Sequence, residues 1–349
     1  MKISQMLIRE DFYAINEKTL ADYYKCQEGQ CCLYVYPQLN AIVTKHPSRA
    51  VKDYLFCEYE IRSNLLKRLA VNAYVFGCLN SGGLMSAKKI SVPAYVCDDT
   101  LIYPCNKKYR IFDFKNKTVD VIVKDGFNDR DLIREIEFRT KPNLPEFVPL
   151  LISSSNNGYR EKIINGRSLA RITSGFDKYR DEAYRQLMFF AEPQSSWVIS
   201  KDYVVQLKTQ IDVLISSSKV RNKKRVEEFV DLLINMCSSN DKVQLCFSHG
   251  DLQAGNIWIE DKTDKIYIID WESWAERSIW YDKATLFQGL RPGSIDKYLD
   301  CNVETTEKAI VLLEDLIFRL KELNNLPLNF GEEQFEEYIT KTSTWINMI

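Results

Sequence analysis

The chain has 349 residues, 45% of them hydrophobic and 27% charged, a length that holds two or three domains or lobes at about 100–200 residues each. Lysine and arginine number 47 and aspartate and glutamate 48, so a net charge of −1 argues against bulk electrostatic binding of nucleic acid. No apolar run approaches the roughly 18 residues of a membrane helix and Met1–Glu10 lacks a signal-peptide core, so no transmembrane segment is expected.

Residues 1–30 are mixed and polar, with one short helix expected. Cys32–Tyr36 and Ala41–Thr44 read as strands around a proline-containing turn. Val51–Phe76 places Leu55, Ile61, Leu65, Leu66 and Leu69 near helical spacing and predicts one helix, ended by the turn residues Asn80 to Gly83. The pattern then turns β-like: Leu101–Tyr103, Tyr109–Phe114 and Thr118–Lys124 predict three strands. A helix follows over Arg130–Arg139, capped by Asn128 or Asp129 and barred from extension by Pro142 and Pro145. Val148–Ser153 and Tyr159–Ile164 predict two more strands around Asn156-Asn157-Gly158. Three strands, a helix and two strands is the order of a kinase small lobe. Beyond Gly166 the chain reads as helices at Lys178–Ala191, Tyr203–Ser216 and Lys224–Cys237, and later at Tyr281–Gln288, Thr306–Leu323 and Glu332–Met348. Strands are expected at Asn256–Glu260 and Lys265–Ile269. The ten cysteines include no C-x-x-C pair, with only two histidines beside them; they predict reduced, buried thiols and a cytoplasmic protein.

Chemistry concentrates in His249-Gly250-Asp251-Leu252-Gln253-Ala254-Gly255-Asn256 and in Ile268-Ile269-Asp270-Trp271-Glu272. A carboxylate, an amide and a second carboxylate in this order are the parts phosphoryl transfer needs: one group to orient the attacking hydroxyl, two to hold metal ions on the phosphates. Asn256 opens a strand, where a β-poor residue asks for a reason. Asp270 ends an apolar strand, where an unpartnered carboxylate is costly.

With glycine after the histidine, and D-W-E in place of D-F-G, these motifs resemble those of the aminoglycoside phosphotransferase and choline kinase-like family of small-molecule kinases. The resemblance implies an α+β, protein-kinase-like two-lobed fold, with a small antiparallel β lobe, a largely helical C-terminal lobe and an N-terminal extension. It is clear over the C-terminal half and weaker before it, which divides the chain into an extension at 1–95, a small lobe at 96–165 and a large lobe at 166–349. It implies Asp251 as catalytic base, Asn256 and Asp270 as metal ligands, and a lesser metal or water-holding role for Glu272. Val121-Ile122-Val123-Lys124 resembles the strand that supplies the phosphate lysine, and Glu135, after Arg134, resembles its helix partner. Lys45 is the rival lysine, while Lys107 and Lys108 read as a charged turn. Lys162, Ile163 and Ile164 resemble the hinge whose backbone binds the purine edge. No G-x-G-x-x-G covers the phosphates. The implied cofactors are ATP, with GTP as the alternative, and Mg2+. The implied partner is a small-molecule hydroxyl acceptor, sugar-bearing or an amino alcohol. The competing readings are a kinase-fold binding protein with little catalysis, and a kinase acting on a polysaccharide or lipid-linked glycan.

Overall fold

A computed structural model of the chain describes residues 9–25, 29–59, 65–105, 107–172, 174–218, 220–237, 241–291, 295–325 and 331–346. It divides into two compact units, one of residues 1–136 and 149–165, the other of 137–148 and 166–349.

The first unit is built on one antiparallel sheet. Its elements are α1 (Arg9–Tyr24), β1 (Cys31–Tyr36), β2 (Ala41–Val43), α2 (Arg49–Glu58), α3 (Leu65–Asn80), β3 (Lys88–Val92), β4 (Thr100–Pro104), β5 (Lys108–Asp113), β6 (Thr118–Val123), α4 (Arg130–Arg139), β7 (Leu151–Ser155) and β8 (Gly158–Lys162). The sheet runs β3-β1-β2-β4-β5-β6-β8-β7. No division falls near residue 95: β1, β2 and β3 continue the same sheet as β4 to β8, because β2 pairs with β4 through Ile42 and Ile102. Helices cover both faces of the middle strands. Tyr34, Tyr36, Leu101, Phe112, Val119, Val121 and Tyr159 pack with Val51 and Leu55 of α2, Val75 and Leu79 of α3, and Leu132 of α4. The alternate residues Leu33, Val35, Ile102, Tyr109 and Ile111 pack on the other side with Leu20 and Tyr24 of α1. A strand buried on both faces loses its polar alternation, which is why Leu33–Tyr36 reads as a continuous apolar run.

The helix expected over Val51–Phe76 is two helices, α2 and α3; Ile61 lies outside the described residues. Ser48 caps α2, its side chain accepting from the Val51 amide at 3.4 Å. Leu65, Leu66 and Leu69, part of the apolar spacing that predicted the helix, are exposed, and α3 buries Val75, Cys78 and Leu79 nearer its C-terminal end.

The second unit contains β9 (Gly166–Ser168), α5 (Phe176–Ala191), β10 (Ser196–Ile199), α6 (Ser200–Ser216), α7 (Lys223–Asn235), β11 (Lys242–Ser248), β12 (Ile257–Glu260), β13 (Ile266–Ile268), β14 (Ala275–Ser278), α8 (Trp280–Phe287), α9 (Asp296–Leu299), α10 (Thr305–Asn325) and α11 (Glu332–Ile346). One three-stranded sheet runs β13-β12-β9 and another β10-β11-β14. The main core joins α6, α7, α10 and α11 through Leu207, Ile211, Phe229, Leu233, Leu313, Leu316, Tyr338 and Ile339. A second cluster, of Phe138, Phe147, Leu252, Ile257, Ile259, Ile266, Ile268 and Trp271, lies under the segment 249–272. Among the described residues no helix is long and apolar enough to cross a membrane.

Candidate active site

In the second unit, the loop after β11 is fixed by two buried side chains. Asp282 on α8 accepts from the amides of His249 (2.7 Å) and Gly250 (3.1 Å). Gly250 has φ of +83°, and a Cβ there would overlap the Ser273 carbonyl and the Arg277 guanidinium. Only glycine meets both demands. The buried His249 ring accepts from the Asp251 amide at Nδ1 (3.3 Å), so Nε2 carries the proton and donates to the Ile269 carbonyl (2.9 Å). One ring thus ties the loop holding Asp251 to the residue before Asp270.

Three side chains hold the Asp251 carboxylate. Arg291 Nη1 donates to Oδ1 at 2.7 Å, while Gln253 and Asn256 donate to Oδ2 at 3.0 and 3.3 Å. Asn256 also gives its amide nitrogen to the Asp251 carbonyl at 2.8 Å. This commits the nitrogen and leaves the amide oxygen as the group able to face a metal. The Asn256 carbonyl accepts from the Ile269 amide at 2.9 Å, fixing the spacing between the two motifs.

Asp270 turns the chain out of β13 in the left-handed region, with φ of +69°, a conformation a non-glycine residue keeps only where its surroundings hold it. Trp271 is the anchor: it is fully buried, stacks among Phe138, Phe147 and Phe247 and donates its indole N–H to the Ile268 carbonyl at 2.7 Å. Trp271 is therefore a core residue, and the half-buried Trp274 packs against the same cluster with Lys141 over its ring. Glu272 follows, half-buried, in the short turn Trp271–Ser273. The oxygen set of Asn256, Asp270 and Glu272 suits a hard divalent cation such as Mg2+.

Sequence reading missed Arg291. Burial opposes its charge, and the neighbouring Tyr281, Asp251 and Asp315 outweigh that cost and raise its pKa. It stands forty residues after Asp251, outside any motif, so no spacing signalled it.

In the first unit, Glu135 is fully buried. It takes a hydrogen bond from the Tyr159 hydroxyl at 3.0 Å and one from Lys108 Nζ at 3.4 Å. One turn earlier on α4, Asp131 pairs with Lys107 at 2.8 Å. The charged turn expected at Lys107 and Lys108 is thus a pair of buried lysines clasping one face of a helix. Glu135 thus has an ion pair with Lys108, a partner the sequence did not point to. Register explains it. Lys108 lies opposite Val123 and Tyr159 opposite Val121, so all four side chains share the α4 face of the sheet. Lys124 follows Val123, just beyond the end of β6. Its ammonium lies over the Tyr109 ring at 5.1 Å and donates to the Cys105 carbonyl. The rival Lys45 is exposed.

Lys162 ends β8 opposite Thr118. The Ile163 amide donates to the Lys117 carbonyl at 3.0 Å, which commits one of the donors expected for a hinge.

Residues 158–308 match the model of the choline/ethanolamine kinase family, a span containing both chemical motifs. The aminoglycoside phosphotransferase APH(4)-Ia, solved as a thermostable mutant in its apo form, aligns with a TM-score of 0.50 at 12% identity over 72% of this chain and 94% of that one. An ethanolamine kinase from Plasmodium vivax aligns over 86% and 94% of the two chains at 14% identity, with a TM-score of 0.43. A type VIII aminoglycoside-3'-phosphotransferase covers 63% and 94% at 14% identity, with a TM-score of 0.40. Comparison with curated protein sequences returned no match. The fold is that of the protein-kinase-like small-molecule kinases: α+β, with an antiparallel sheet lobe, a helical lobe and an N-terminal segment.

Proposed function

We propose that this chain, with a choline/ethanolamine kinase segment on a small-molecule kinase fold, transfers the γ-phosphoryl group of a purine nucleotide to a hydroxyl of a small acceptor. The observation that carries the reading is the Asp251–Asn256 loop. Its carboxylate is held at both oxygens, and its amide is turned so that only the oxygen remains for a metal. Asp251 takes the acceptor's hydroxyl proton at Oδ2 as the new O–P bond forms and the bond to the nucleoside diphosphate breaks. Asn256 and Asp270 would hold Mg2+, with Glu272 in support; the ion when bound supplies charge neutralisation on the phosphates. Lys108, kept in place by Glu135, is the lysine favoured for the phosphates, and backbone groups at Lys162–Ile164 for the purine. ATP is the expected donor, with GTP the alternative, and the cytoplasm the expected site of action.

Calorimetry of nucleotide binding with and without Mg2+ tests the metal assignment. Asp270→Ala removes a charged ligand and should abolish most of the Mg2+-dependent gain in affinity seen in the wild type. Equal Mg2+ dependence in the two proteins would contradict it.

A further inference from the structure

The second unit contains a box for a cation beside Asp251, and one of its own side chains fills it. The Arg291 guanidinium stands 3.5 Å from the centroid of the Phe318 ring and 5.7 Å from that of Tyr281. Its Nε lies 3.3 Å from Asp315 Oδ1 and its Nη1 2.7 Å from Asp251 Oδ1. Nη2 donates to the Gly250 carbonyl at 3.1 Å and to the Tyr281 hydroxyl. Two aromatic faces and two carboxylates are the surroundings that bind an ammonium group. The Arg291 side chain is only 10% exposed, and Asp315 is fully buried.

The nearby carboxylates that these bonds reach are each engaged, and Glu322 adds a further negative charge that favours the Arg291 cation. Asp251 and Asp315 are answered by Arg291 and by Arg319, whose Nε donates to Asp315. Asp282 is committed to the loop amides. Glu314 accepts from the Ser278 amide and hydroxyl and from the Tyr203 hydroxyl. A cationic acceptor entering here would meet a fixed guanidinium at the base, and an unpaired buried like charge is strongly unfavourable. An anionic acceptor would find a guanidinium with both Nη groups already bonded to oxygen and with Nε, which makes no hydrogen bond, beside Asp315.

We propose that Arg291 excludes cationic acceptors and that the acceptor is an uncharged hydroxyl compound of sugar or polyol type. This deepens the phosphotransferase reading and rests on it, and it sets the chain apart from kinases whose acceptor carries an ammonium group. Arg291 acts as a specificity residue by filling the box and as a positioning residue through Asp251.

Two measurements test this separately from the reaction class. The first follows tetramethylammonium binding by ligand-observed NMR, with sodium chloride at equal ionic strength as the control. The wild type should not bind it, and Arg291→Met, which keeps length and loses charge, should. Binding by the wild type, or no gain in a folded Arg291→Met protein, overturns the proposal. The second measures Mg2+-nucleotide-dependent phosphorylation of neutral sugars and polyols against choline, ethanolamine and an aminoglycoside, and it decides alone if Arg291→Met does not fold. A neutral compound should exceed every cationic one in kcat/KM by at least about tenfold; a cationic compound as the best substrate overturns the proposal. Failure of every acceptor, with tetramethylammonium still refused by the wild type and bound by the variant, would count against the phosphotransferase reading and leave the filled box standing.

Discussion

The helical unit and the sheet unit assemble their functional residues in different ways. In the helical unit, Asp251, Asn256, Asp270 and Glu272 are near neighbours in sequence, tied by bonds from His249, Gln253 and Trp271 and, from farther along the chain, from Asp282 and Arg291. In the sheet unit, Glu135 is met by Lys108 from an earlier strand and Tyr159 from a later one, both on one face of the sheet. Loop chemistry can be read from spacing. Sheet chemistry needs the register, because one residue of difference moves a side chain to the opposite face.

The sharpest way to break this contrast is to remove the two lysines in turn. Lys108→Ala should lower kcat/KM for the nucleotide at least about tenfold more than Lys124→Ala does, with circular dichroism confirming that both proteins fold. The reverse order would return the phosphate role to the lysine that motif resemblance favoured and would show that register misleads here. A second effect, on stability, is expected from Glu314, deep in the helical unit. Burial lifts its pKa to about 7 from an ordinary 4.5, against hydrogen bonds from Ser278 and Tyr203 that favour the charged form. The folded state therefore keeps a proton that the unfolded state has released. The resulting stabilisation is complete below the unfolded pKa of 4.5 and is lost as pH rises through about 7. Denaturant midpoints should show the wild type losing up to about 3 kcal/mol relative to Glu314→Gln across that interval; a gap that does not change with pH would show that Glu314 stays ionised.

Much of the helical unit was legible in the chain. The strands around the Asp261–Asp264 turn and the helices packed on α10 follow from periodicity, and the base and metal candidates from motif order. What escaped was non-local. Arg291 and Asp282 reach the loop after β11 from beyond Asp270, and no local pattern marks them. β3, β10, β11 and β14 went unread, and β3 exists because β1 pairs with it through Leu33 and Ile90. The exposed leucines of α3 misled in the opposite direction, since apolar spacing alone does not say that a face is covered. Lys108 was missed as a partner of Glu135 because the face of the sheet on which α4 packs is not visible in the sequence.

The most direct test of the central claim is the rate at which labelled γ-phosphate passes from nucleotide to acceptor in the wild type and in Asp251→Asn. The substitution keeps shape and removes the proton-accepting charge. Transfer should fall by about two orders of magnitude or more while nucleotide affinity stays within about twofold. Transfer at near wild-type rate in Asp251→Asn would remove Asp251 from the chemistry and contradict the account.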